Sequence, residues 1–87
     1  MREEVKFNAR VLRNNQIQIP KRIVEDLQLW VGTRVEIWLW TPRHVEFKTT
    51  IKQRFRFTIP KLELAGGRLK PGDIVAIHLT KLKPPKA

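Results

Sequence analysis

This chain repeats itself, and the repeat sharply limits the folds open to it. Shifted by 40 residues, it aligns with itself without a gap, residues 4–40 falling on 44–80. Identities occur at Val5/Val45, Phe7/Phe47, Ile19/Ile59, Pro20/Pro60, Lys21/Lys61, Leu29/Leu69, Gly32/Gly72, Val35/Val75, Ile37/Ile77 and Leu39/Leu79. Nearly all are apolar, Gly or Pro, the types that core and special backbone positions demand, whereas surface positions tolerate change. With 87 residues the chain has room for one small domain. The two halves are therefore expected to share a single interior.

Each half reads as strand, strand, short helix, strand. Val5, Phe7, Ala9 and Val11 alternate with polar residues, as do Val45, Phe47, Thr49 and Ile51, the pattern of half-buried strands. Short polar links, Arg13-Asn14-Asn15 and Lys52-Gln53-Arg54, lead to second strands carrying Ile17 and Ile19, or Phe55, Phe57 and Ile59. Pro20 and Pro60 lack the N–H that strand pairing needs and suit the start of a helix. From Lys21 to Gln28, Ile23, Val24 and Leu27 make one apolar helical face. The second copy, Lys61 to Ala65, is expected to stop after about one turn at Gly66-Gly67. Leu29-Trp30-Val31-Gly32-Thr33 and Leu69-Lys70-Pro71-Gly72-Asp73 read as turns in which glycine takes positive φ and Asp73 stabilises the turn. Third strands follow, facing Val35, Ile37 and Leu39, or Val75, Ile77 and Leu79, inward. Six strands from two β-β-α-β repeats are most simply satisfied by a small, mainly β, closed barrel about a pseudo-twofold axis, which leaves no sheet edge open. Residues 1–80 form that domain, and residues 81–87, with Pro84-Pro85, are expected to be a mobile basic tail.

At Ile17-Gln18-Ile19-Pro20-Lys21-Arg22-Ile23, with Leu29, Gly32 and Val35-Glu36-Ile37 beyond, the sequence resembles the SpoVT-AbrB family of DNA-binding domains. Phe57-Thr58-Ile59-Pro60-Lys61 through Leu69-Lys70-Pro71-Gly72-Asp73-Ile74-Val75 resembles it a second time, so the likeness covers both halves. Members of that family usually carry one copy per chain and dimerise. A tandem pair in one chain resembles the single-chain barrels of the wider cradle-loop group, and implies a RIFT-like barrel, with a swapped-hairpin AbrB-like barrel as the alternative, and a monomeric pseudo-dimer. Gly72-Asp73 matches that group's glycine-aspartate box, and Gly32-Thr33 half matches it. The family's arginine before V-x-I-P falls at Gln16 and Arg56, so only the second copy conforms. Its helix arginines fall at Val24, Glu25, Leu64 and Ala65, which shifts the implied DNA contacts to the links and outward strand faces.

The charge pattern points the same way. Eighteen Lys and Arg stand against eight Asp and Glu, a net charge of +10. Residues 1–40 hold 7 basic and 5 acidic side chains, whereas residues 41–87 hold 11 and 3. Lys48, Lys52, Arg54, Arg56, Lys61 and Arg68, with Arg10, Arg13, Lys21 and Arg22 at related places in the first half, are the candidates for neutralising phosphates and releasing counterions. Lys70, Lys81, Lys83 and Lys86 add to the excess. A surplus needed only for solubility would be smaller.

Trp38 and Trp40 share a strand face whose counterparts in the other half are His78 and Thr80. They are read chiefly as packed residues, since indoles are usually buried, and alternatively, with Trp30, as a platform for unpaired bases or a protein partner. There is no cysteine, and neither the two histidines nor the two aspartates sit in a nucleophile, metal or phosphate-loop pattern. His44 and His78 are accordingly read as structural or solvated, no cofactor or metal is expected, and the chain is not read as an enzyme. The longest strictly apolar run, Ile37-Trp38-Leu39-Trp40, is far below the ~20 residues that span a bilayer, so a cytoplasmic protein is expected. The sequence thus points to a nucleic-acid-binding protein, foremost a DNA-binding transcriptional regulator or chromatin-associated protein. An RNA- or ribosome-associated protein, a protein-interaction module and an antitoxin are the rival readings.

Overall fold

A computed structural model of the chain describes residues 4–40 and 44–82. The elements follow the repeat: β1 (Glu4–Arg10), β2 (Gln16–Gln18), α1 (Lys21–Leu27) and β3 (Arg34–Trp40), then β4 (His44–Thr50), β5 (Arg56–Thr58), α2 (Lys61–Gly67) and β6 (Ile74–Lys81). Strands β1, β6, β3 and β4 form an antiparallel sheet in that order, and β2 pairs with β5 in a separate antiparallel ribbon. Each half lends its opening strand to the closing strand of the other, β1 to β6 and β4 to β3.

The registers carry the twofold relation that the repeat implies. Glu4 opposes Thr80 as His44 opposes Trp40, and Arg10 opposes Ile74 as Thr50 opposes Arg34. Ile37–Leu79 and Leu39–Ile77 exchange under the same 40-residue shift, as do Gln16–Thr58 and Gln18–Arg56. The irregular backbone repeats too: Gly32 N donates to Ile51 O and Gly72 N to Val11 O, both at 2.7 Å.

Among the described residues the six strands divide into one sheet of four and one of two, and neither closes, so the closed barrel expected from the sequence, RIFT-like or swapped-hairpin, is not the architecture. The physical reason lies in the links. After Val11 and Ile51 the chain turns through left-handed residues, Asn15 at φ 61° and Arg54 and Phe55 at 63° and 55°, and leaves the sheet. Pro20 and Pro60 follow the three-residue strands so soon that the ribbon is too short to bridge the sheet edges. β1 and β4 remain edges, carrying Lys6, Arg10 and Lys48 on exposed positions, a common device against edge pairing.

The ribbon and the helices cover one face of the four-stranded sheet. Ile17 and Phe57, fully buried beneath the ribbon, meet the inward residues of the sheet, Val35, Ile37, Leu39, Val75, Ile77 and Leu79. Phe57 packs 6.2 Å from Phe47, ring centre to ring centre. Ile23 and Leu27 close the core from α1. Each such large side chain stabilises by about 1.5–3 kcal/mol.

Helix α2 is longer than expected: it runs to Gly67 and matches α1 in length. Both helices end in the same way, with Gln28 and Arg68 left-handed and with Leu29 N and Leu69 N donating five residues back to Val24 O and Leu64 O at 2.9 Å. The cap falls on Arg68 rather than on the glycines before it. Lys81 belongs to β6 rather than to a tail, and residues 83–87 lie outside the described residues.

Candidate nucleic-acid interface

The outward side of the ribbon is built by period-two alternation. Ile17 and Phe57 point into the core, so Gln16, Gln18, Arg56 and Thr58 face away from it. The two links flank them, with Arg13 and Asn14 on one side and Lys52, Gln53 and Arg54 on the other. Neither residues 11–20 nor residues 47–62 contain an Asp or Glu. The ribbon and its links therefore carry cations and no carboxylate of their own, while Glu25 of α1 lines a neighbouring groove with Gln18, Lys21 and Phe55.

Its side chains are held in place. Arg56 Nε donates to Gln18 Oε1 at 2.7 Å, and Gln18 Nε2 donates to the Arg54 carbonyl at 2.6 Å. Lys52 N donates to Arg56 O at 2.7 Å, closing the link into a tight turn that presents Arg54. One donor of the Arg56 guanidinium is thereby spent on fixing its plane, which preorganises the planar fork that suits phosphate or guanine. Gln16 Nε2 approaches Thr58 Oγ1 at 3.4 Å across the ribbon.

The ten predicted cations separate into groups. Arg13, Lys52, Arg54 and Arg56 surround the ribbon, and Lys21, Arg22 and Lys61 sit in the first turns of the helices that leave it through Pro20 and Pro60. Arg10 and Lys48 lie instead on the outward face of the four-stranded sheet, and Arg68 caps the far end of α2, lining a groove with Trp40, Leu69 and Ile74. Among the described residues no Lys or Arg comes within 4.0 Å of a carboxylate, the one ion pair being His78 Nε2 with Glu4 Oε2 at 3.4 Å. Among the described residues the Lys and Arg side chains are therefore not paired with carboxylates.

Gln18 escaped the sequence reading, since its partnership with Arg56 depends on a register that joins residues far apart in the chain. His44 and His78, read as structural or solvated, belong to an aromatic cluster with Trp38 and Trp40 on the sheet. Trp40 is half exposed and Trp30 more so, while Trp38 is half-buried, so the packed reading fits Trp38 alone and in part. Asp73 stabilises its turn, its Oδ2 accepting from Lys70 N at 3.1 Å as Thr33 Oγ1 accepts from Trp30 N at 2.9 Å. Among the described residues no group of three or more His, Cys, Asp or Glu is placed to hold a metal. No helix there is long and apolar enough to cross a membrane.

The fold has a counterpart among solved structures. The chain is similar to the solution structure of PHS018 from Pyrococcus horikoshii, with a TM-score of 0.79 and 25% identity over 93% of this chain and 95% of that one. The likeness therefore takes in both halves. No protein-family model matches the chain, and no curated protein matches it.

Proposed function

We propose that the chain is a DNA-binding protein of the regulatory or chromatin-associated kind, which engages duplex DNA through the β2–β5 ribbon and its two links. The observation that carries this reading is the set of cations Arg13, Lys52, Arg54 and Arg56 on a ribbon and links that contain no Asp or Glu, with the Arg56 side chain held by Gln18. A two-stranded ribbon fits the major groove, and links at its ends are suited to reach the flanking phosphates. The resemblance of both I-P-K segments to SpoVT-AbrB domains supports the same assignment.

The pseudo-twofold axis runs through the ribbon, yet related positions differ: Gln16 answers to Arg56, and Gln18 to Thr58. A target of unequal halves suits this surface better than a palindrome. Salt titration of duplex binding tests the reading. Each lost phosphate contact should flatten the slope of log K against log salt by about 0.9, so Arg54→Ala/Arg56→Ala is expected to flatten it by roughly 2 and to weaken binding. Absence of duplex binding at low ionic strength would refute the assignment.

A further inference from the structure

The open face of the four-stranded sheet holds a second unusual surface. The Trp38 ring lies 5.1 Å from His44, 6.1 Å from His78 and 6.4 Å from Trp40, and Trp40 lies 4.9 Å from His44. Trp40 keeps 50% of its surface exposed and Ile74, beside it on β6, keeps 67%. Indoles are ordinarily mostly buried, and contiguous exposed apolar surface marks a binding site.

The placement narrows what binds. β6 and β3 are the two central strands, so Trp38 and His78 lie on central strands and Trp40 at the end of one, while the other face of the sheet is closed by the core. A four-stranded sheet that offers aromatic rings from its central strands provides stacking surfaces for unpaired bases. The same face carries four exposed cations, Lys6 and Arg10 on the edge strand β1, Lys48 on the edge strand β4 and Arg34 at the start of β3. Among the described residues three acids share this face: Glu36 accepts from the Trp38 indole N–H at 3.0 Å, Glu4 pairs with His78, and Glu46 stands opposite Trp38 on β4. A second copy would bring another charge of +10 against this one, whereas a polyanion is drawn in.

We propose that this face binds single-stranded nucleic acid, with bases stacked on Trp40 and Trp38 and phosphates on these cations. The proposal rests on the chain being a nucleic-acid binder but does not involve the ribbon. The test is fluorescence anisotropy of a labelled oligothymidylate of about 12 nucleotides, a length within the usual single-strand site size, alongside a labelled duplex. Trp40→Ala is expected to weaken oligothymidylate binding roughly tenfold, the scale of one lost stack, with Trp40→Phe restoring most of it and duplex binding unchanged. Arg54→Ala/Arg56→Ala is expected to do the reverse. Trp40 is half exposed at a strand end, so its variants retain the fold; Trp38→Ala is a second probe, checked by circular dichroism. Oligothymidylate binding that is absent, or indifferent to Trp40→Ala, while duplex still binds overturns this proposal and leaves the ribbon reading standing. Loss of both ligands at low salt in the parent protein overturns both. A dimer that Trp40→Ala disperses assigns the face to a second copy and overturns the proposal as well.

Discussion

Gln28 and Arg68 occupy left-handed positions at φ 52° and 54°, where a Cβ is strained and glycine is usual. Their side chains are exposed, so Gln28→Gly removes the strain at little other cost. It is expected to raise stability by about 0.5–1 kcal/mol in urea unfolding, because relief of the left-handed strain exceeds the added freedom of the unfolded chain. Gly72, at φ 97°, should respond oppositely: a Cβ there meets nothing within 4 Å, so the cost of Gly72→Ala, about 1–2 kcal/mol, is one of backbone alone. The glycine turns were legible in the sequence because L-x-x-G-[DT]-x-V places Gly where a turn needs positive φ. The caps were not, since neither Gln nor Arg advertises a left-handed backbone. The Gln18–Arg56 contact was equally hidden, being a product of register.

Helix α2 shows how an element overrides its local signal. Gly66 and Gly67 cost roughly 1 kcal/mol each relative to Ala, so the sequence predicts an end at Ala65, yet packing on β4 and the cap at Arg68 carry the helix through both. The two glycines differ in their surroundings. A Cβ at Gly66 has open space, whereas one at Gly67 would come within 3.0 Å of Val45 Cγ2 and 3.4 Å of Leu69 Cγ. Gly66→Ala is therefore expected to stabilise by roughly 1 kcal/mol, and Gly67→Ala to forfeit that gain. Equal rises in melting temperature would show that the close approach is not limiting. Helix α1 depends on the other half of the molecule, for Lys81 Nζ donates to Leu27 O and Gln28 O at 3.1 Å, placing a cation at the negative end of the helix dipole. Lys81→Met should cost about 1 kcal/mol, less at high salt, measured by thermal unfolding. Strand order in each half was legible from alternation. The failure to close was not, because the sequence shows which residues alternate but not how sharply the links leave the sheet.

At the scale of the molecule, the repeat predicted a twofold relation that every strand register obeys, and unequal charge between the halves breaks it on the surface. Selection on a shared core keeps apolar residues paired, while the exterior is free to diverge. That is why the core was readable from identities and the candidate site only from charge. The longest dimension is 36 Å, about one turn of duplex, so a bound chain is expected to cover roughly 10 base pairs, a stoichiometry that titration of a short duplex measures. On the proposed reading, duplex DNA meets the ribbon rather than the sheet. Backbone amide shifts followed by NMR during titration with a duplex distinguish the two faces. Perturbations concentrated at Gln16, Gln18, Arg54, Arg56 and Thr58, with Trp38, His78 and Glu46 unmoved, are the predicted result. Perturbations centred on the open face of the sheet, or scattered over both faces, would contradict it.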